Sequence, residues 1–152
     1  MKYTQAGLGR IFILRLEDGE TVHAEIEKFS REHSISAAIV VIVGGADKDS
    51  RLITGPAKGR EYPTIPVEHI LKDVHEAAGV GTIFPDEKGD PLLHLHMACG
   101  RESSTVTGCI RSGVKVWHVM EVILIELTGC SPMRVHDSKT GFKLLKIGSS
   151  PN

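Results

Sequence analysis

Two histidines that lie two residues apart in an apolar segment are the residues of this sequence best suited to chemistry. His94 and His96 occur within the run from Pro91 to Gly100, among leucines and a methionine. On a β-strand, residues i and i+2 point to the same face, whereas on a helix they would lie about 200° apart. The spacing therefore indicates an extended segment that presents both imidazoles on one face. Such a pair commonly offers a metal ion two of its ligands.

The alternative for an isolated His-x-His pair is two half-buried histidines that bond to backbone groups or solvent. Here, however, Cys109 and His118 follow on the next two expected strands. A three-stranded antiparallel meander would place Cys109 opposite His94 or His96, depending on the turn, with His118 level with Cys109. A one-residue change of register would turn Cys109 away. The sequence predicts two to four ligands at one metal site, which would suit zinc or another divalent transition metal such as iron or nickel.

Length and composition are typical of one globular domain. The chain has 152 residues, of which 41% are hydrophobic and 24% charged, so we expect a single domain over 1–152 with its core at about 7–147. The formal net charge of −1 argues against strong non-specific binding to nucleic acid. We expect no membrane segment and no signal peptide. The three cysteines are not spaced as in a disulfide framework, which is typical of a protein in a reducing cytoplasm.

Apolar patterning predicts many strands and few helices. Segment 9–16 is apolar on both faces, which predicts a central strand. Thr21 is the expected cap of a helix that ends near His33. Segment 67–78 has helical spacing beside extended neighbours, and its conformation stays open. Further strands are expected at 37–43, 51–54, 80–84, 91–99, 105–110 and 116–127, followed by an edge hairpin or tail at 133–145.

No nucleophile or acid–base pair is evident in the sequence, so the catalytic residues are left unassigned. Glu76 and Arg101 are candidates to assist a metal ion from loops. Glu121 is close to His118 in sequence, but a regular strand would turn it to the opposite face, which makes it a poor general base.

With these residues in place, the chain resembles the plant-and-prokaryote conserved (PPC) domain family. The His-x-His pair after an acidic, glycine-containing hairpin is the most specific element of the resemblance. The resemblance implies an α+β fold, in which one or more helices pack on a strongly curved, largely antiparallel sheet, and it also implies a homotrimer. The motifs that carry it are Gly9-Arg10-Ile11, Gly44-Gly45, Gly89-Asp90-Pro91, His94-Leu95-His96 and Gly108-Cys109.

The family resemblance also implies two functional hypotheses. In plants the domain is coupled to an AT-hook, an Arg-Gly-Arg-Pro element for the minor groove, which this chain lacks. The resemblance therefore implies an oligomeric regulatory module, with DNA or nucleoprotein as the expected partner. Many bacterial relatives have a histidine at the position of Cys109, which keeps a ligand there. The architecture is also similar to acetolactate decarboxylase and related zinc enzymes, so the alternative is a zinc-dependent lyase or hydrolase acting on a small carboxylate or ester.

Overall fold

One antiparallel sheet dominates the protein. The computed structural model describes residues 1–148, which contain ten β-strands, one α-helix and a 3-10 turn at Ile110–Ser112. Eight strands form an open sheet in the order β1-β8-β2-β5-β6-β7-β3-β4, and β9 pairs with β10. The predicted α+β fold is thereby confirmed. The elements are β1 (Gly7–Glu17), α1 (Val22–Glu32), β2 (Ala38–Ala46), β3 (Arg51–Pro56), β4 (Pro66–Ile70), β5 (His75–Pro85), β6 (Pro91–Arg101), β7 (Ser104–Cys109), β8 (Val116–Thr128), β9 (Met133–His136) and β10 (Lys143–Lys146).

The hydrophobic core lies between the helix and one face of the sheet. Helix α1 follows Thr21 and ends before His33, as the sequence predicts. It buries Val22 and Ile26, and Phe29 packs at the edge of the same cluster. These three residues follow the i, i+4, i+7 spacing that puts apolar side chains on one side of a helix. None of the helices within 1–148 is long and apolar enough to cross a membrane.

Strand β1 lies at the edge of the sheet, where its pairing partner is β8. The predicted central position is therefore wrong. Phe12 and Leu14 pack against the core, but Ile11 and Ile13 project from the other face and are largely exposed. Apolar residues on both faces of this strand reflect an apolar outer surface of the sheet, which a sequence pattern cannot distinguish from a buried central strand.

The connection from β7 to β8 overturns the predicted three-stranded meander. Strand β6 does pair with β7, but β7 has β3 as its other neighbour, and β8 lies between β1 and β2. After β7 the chain buries Ile110 and Val114 in the core. In this connection the main-chain oxygen of Gly113 accepts a hydrogen bond from the N–H of Arg51, and that of Val114 accepts one from the N–H of Val22. The chain therefore crosses the end of the sheet instead of turning back beside β7.

Gly44 and Gly45 allow a close approach between β2 and β8. The strand register shifts between them, and a Cβ atom at either position would collide with a main-chain oxygen, of Val119 or Trp117. Close packing therefore accounts for this pair of glycines. Segment 67–78, whose conformation the sequence left open, contains most of β4 and the start of β5 and is not helical.

Candidate metal centre

Alternation along β6 separates the candidate ligands from the core. Leu93, Leu95 and Met97 are buried, whereas His94 and His96 are exposed on the opposite face. The prediction that both imidazoles leave the same face is confirmed. We call this surface, which lies opposite the helix, the open face of the sheet.

Cys109 joins the two histidines from the neighbouring strand. Of the two registers that the sequence left open, the structure has the one in which Cys109 lies opposite His96. The Nε2 atoms of His94 and His96 are 3.2 Å apart. One ligand atom from each of the three residues lies within 4.8 Å of the others. We call these three residues the His–Cys cluster.

The distances in the His–Cys cluster suit a transition-metal ion. Two Zn–N bonds of about 2.05 Å at a tetrahedral angle would place the nitrogens about 3.3 Å apart, and the nitrogens of His94 and His96 are 3.2 Å apart. Two imidazoles and a thiol are also the donor types that zinc prefers. The three residues present therefore fit such an ion, with Cys109 within reach as its sulfur ligand.

The protonation state of His94 also favours metal binding. Its pKa is lowered to about 4, first because the ring is partly buried and then because of the positive charges of Arg134, His96 and Arg111. A histidine must be neutral to donate its lone pair to a metal. At neutral pH the His94 ring is therefore in the form that a metal ion requires.

His118, the fourth predicted ligand, lies in a different part of the sheet. It belongs to β8, and strands β2 and β5 separate β8 from β6. Its backbone has a φ of 60°, its N–H donates to Asp18 Oδ1 at 2.7 Å, and its ring packs 4.4 Å from that of Trp117. Glu121, on the same strand, lies opposite Val43. The chain brings three predicted ligands together, and metal binding by His118 stays a prediction that requires a second copy of the chain.

Glu76 and Arg101 lie in strands and not in the predicted loops. Glu76 is opposite Gly100, whereas His96 is opposite Val80. Glu76 and Val80 are four positions apart along β5, a distance of about 13 Å in an extended strand. Glu76 is therefore too far from the His–Cys cluster to act as its general base within one chain.

A separate groove occupies the end of the sheet where Glu76 lies. It has a volume of about 550 Å³, and its lining includes His75, Glu76, Arg101 and Trp117. The guanidinium of Arg101 forms an ion pair with Asp73 at 2.7 Å. The groove is distinct from the His–Cys cluster, because none of the three cluster residues lines it.

Arg134 is a neighbour of the cluster that the sequence analysis did not identify. It lies in β9, only 4% exposed, and its Nη2 donates to Thr82 Oγ1 at 2.8 Å. Thr82 is directly opposite His94. The guanidinium also stacks over the ring of Phe84 at 5.7 Å. Burial and the charge of Arg111 lower the pKa of Arg134, and the Cys109 sulfur acts in the opposite direction.

An apolar row crosses the open face beside the cluster. Strand pairings align one residue from each of six neighbouring strands into a row that ends at the cluster, and other exposed apolar residues, including Ile11 and Val43, flank it. Ile13 is 79% exposed and Val80 62%. An exposed apolar patch of this kind is typical of a surface that binds another protein. The row consists of Ile13, Ile123, Val41, Val80, His96 and Cys109.

Comparison with protein families gives a match over most of the chain. The model of the Plants and Prokaryotes Conserved (PCC) domain matches residues 3–128. A comparison with curated proteins gave no match.

Several solved structures have the same fold. A plant- and prokaryote-conserved protein from Pyrococcus horikoshii has a TM-score of 0.82 at 24% identity, over 98% of this chain and 99% of that one. A protein from Archaeoglobus fulgidus, named as metal-containing, has a TM-score of 0.81 at 26% identity, over 96% and 99%. A protein from Bacteroides thetaiotaomicron, named as a candidate DNA-binding protein, has a TM-score of 0.73 at 14% identity, over 95% and 99%.

Proposed function

The chain belongs to the plants and prokaryotes conserved domain family, and on this premise we propose that it is a metal-binding regulatory module of that family. The observation that carries the proposal is the His–Cys cluster, in which His94, His96 and Cys109 converge on one point. These residues hold zinc, or another divalent transition metal. The name of the Archaeoglobus fulgidus protein, which describes it as metal-containing, supports metal binding in this fold.

We propose that the module is a homotrimer assembled through the open face. The support is the family resemblance together with the exposed apolar row that begins at Ile13 and runs to the cluster. Burying such a surface against further copies of the chain removes apolar area from water. Because the row ends at His96 and Cys109, the cluster borders this interface. His118 of another copy is then the candidate for a fourth ligand.

The proposed cellular role is regulatory, with DNA or nucleoprotein as the partner and a reducing cytoplasm as the location. Structural neighbours named as candidate DNA-binding proteins support the partner class. The formal net charge of −1 limits affinity from phosphate neutralisation alone. Fluorescence anisotropy with duplex DNA near physiological salt tests direct binding. Absence of binding at micromolar protein would restrict the role to partners other than naked DNA.

A second candidate function is a zinc-dependent lyase or hydrolase that acts on a small carboxylate or ester. The observation that favours it is that the chain itself brings three ligands to the cluster. Catalytic zinc sites commonly have three protein ligands and keep one position for water or substrate. When bound, the metal would polarise a carbonyl or activate water. His94, His96 and Cys109 would hold it, and the neutral state of His94 keeps that ligand available at neutral pH.

Elemental analysis combined with thiol labelling tests the metal site. Protein purified without a histidine tag and dialysed against buffer should retain about one divalent metal ion per chain. The bound ion should slow alkylation of Cys109 by iodoacetamide, and removal by a chelator should restore it, because a coordinated thiolate is shielded. Cys130, which is free and partly exposed, is the internal control. Failure to retain or rebind any transition metal would contradict the proposal.

The His69→Ala variant provides a matched control for histidine content. His69 is exposed on β4 and lies outside the cluster, so its loss should leave the bound metal unchanged. An equal loss of metal from this variant would indicate adventitious binding to surface histidines.

A further inference from the structure

We propose that a small-oxyanion site adjoins the His–Cys cluster, where Arg134 and Arg111 bind a carboxylate or phosphate group that also contacts the metal ion. This site rests on the metal binding proposed above and adds a ligand class to it. It is built partly from β9, which lies beyond the residues 3–128 that match the family domain.

The position of Arg134 follows from its hydrogen bond to Thr82. The two atoms, Nη2 and Oγ1, are 2.8 Å apart. Thr82 and His94 are directly opposed on neighbouring strands, and the Cβ atoms of such pairs lie about 5 Å apart on the same face. The guanidinium of Arg134 therefore lies beside the imidazole of His94, at the margin of the cluster.

The charge of Arg134 has no carboxylate partner among residues 1–148, although the side chain is only 4% exposed. Its Nε is also buried without a hydrogen-bond partner in that part of the chain. A buried, unpaired charge is costly, and so is a buried donor without an acceptor. An oxyanion at this position would satisfy both, because it brings negative charge and accepts the Nε–H.

The positive charges near Arg134 favour the binding of an anion. Arg111 lies two residues after Cys109, and its charge acts on both His94 and Arg134. The Cys109 sulfur also lies near Arg134, and a divalent cation would engage it as a ligand. A divalent cation, one thiolate and two guanidiniums would leave the site strongly positive. An anionic ligand would offset this excess.

The chemistry of the groups selects a small oxyanion. A guanidinium donates two parallel hydrogen bonds to a carboxylate or phosphate. A metal ion held by His94, His96 and Cys109 alone, without His118 of another copy, has a position left for one oxygen of the same group. The simpler role for Arg134 is to attach the β9–β10 hairpin to the sheet through Thr82 and Phe84. That role predicts a loss of stability on substitution and no effect on anions.

Spectroscopy of the cobalt-substituted protein tests the anion site without an activity assay. Co²⁺ replaces zinc in tetrahedral sites, and its visible absorption changes when its coordination changes. Titration with acetate, and separately with inorganic phosphate, should change the spectrum of the wild-type protein saturably in the millimolar range. In Arg134→Gln the dissociation constant should rise about tenfold or more, as expected for loss of a charge-assisted hydrogen bond. In Arg111→Gln it should rise severalfold.

Arg31→Gln is the matched control, because it removes the same charge from an exposed helix position and should leave the titration unchanged. If Arg134→Gln does not fold, the titrations of the wild type and of Arg111→Gln, at an exposed position, still test the oxyanion site. Cobalt binding with no response to either anion, or with equal responses in all variants, would overturn the oxyanion site alone. Absence of cobalt binding would instead overturn the metal site, and the oxyanion site with it.

Discussion

The two faces of β6 differ in what their residues do. On one face Leu93, Leu95 and Met97 are buried in the core, and on the other His94 and His96 remain exposed beside Cys109. The core face is held by apolar burial, whereas the open face has its candidate ligands next to an apolar surface that one chain leaves uncovered. A single strand therefore serves stability and the candidate site separately. Substitutions on its two faces should affect different measurements.

Leu95→Ala should have the largest effect on stability. Leu95 is fully buried and packs against the backbone of Gly79 and Gly81 on the neighbouring strand. Truncating a buried leucine removes transfer free energy and leaves a cavity, so the free energy of unfolding should fall by about 2–5 kcal/mol. Urea denaturation of the metal-free protein measures it. Leu8→Ala, at an exposed position of β1, is the control and should cost less than about 0.5 kcal/mol.

In contrast to Leu95→Ala, His96→Ala should reduce metal affinity and leave the stability of the fold almost unchanged. Loss of one metal ligand should weaken metal affinity by about a hundredfold or more, since even partners of the ligands contribute tenfold to a hundredfold. Because His96 is on the open face, the stability of the metal-free protein should change by less than about 0.5 kcal/mol. Competition with a chromophoric chelator measures affinity. Unchanged metal affinity would remove His96 from the site, and unfolding on metal removal would show that binding and folding are coupled.

Ile13→Lys tests whether the open face is the assembly surface. Ile13 is 79% exposed at the far end of the row from the cluster. A lysine there should leave the fold of a single chain intact, but its charge should weaken an apolar interface between copies. Sedimentation velocity should show a trimer for the wild type and smaller species for the variant. The exposed Ile65 lies in the loop before β4, and Ile65→Lys is the matched control. A trimer that persists in Ile13→Lys would place the interface elsewhere.

The smallest effect is expected from Glu126→Gln. Arg10 holds Glu126 through two side-chain hydrogen bonds of 2.7 and 2.8 Å, which lower the pKa of Glu126 to about 2. A lowered carboxyl pKa stabilises the folded state above the unfolded pKa, and this stabilisation is lost as the pH falls from about 4.5 towards 2. Because Arg10 is 52% exposed, solvent screening should reduce the contribution to about 1 kcal/mol.

The Glu126→Gln variant should therefore lose about 1 kcal/mol at pH 7 and should lack the decrease in stability that this ion pair contributes between pH 4.5 and 2. Denaturant unfolding at several pH values measures both quantities. Glu17→Gln, which removes a carboxylate from a more exposed pair with Arg15, is the control and should change little. Parallel pH profiles of the wild type and Glu126→Gln would show that the pair does not stabilise the fold.

Local patterns predict the elements of this protein well. The spacing of His94 and His96 indicates a strand with both rings on one face, and the helix from Val22 to Glu32 follows from its apolar repeat and from Thr21 before it. The register of Cys109 against β6 is one of two that the turn allowed. These features depend on residues close together in the chain, where side-chain direction is set by backbone geometry.

By itself, the sequence determined the type of most elements, segment 67–78 excepted, and three of the residues that converge, because strand alternation and hairpin register are local. Only the tertiary structure decided the strand order, which separates His118 from the cluster and brings Arg134 beside His94. Both outcomes depend on the short connections after β7 and β8, which lead the chain to distant parts of the sheet. Their paths follow from burial of residues such as Ile110 and Val114, a cooperative property of the whole core that no local pattern contains.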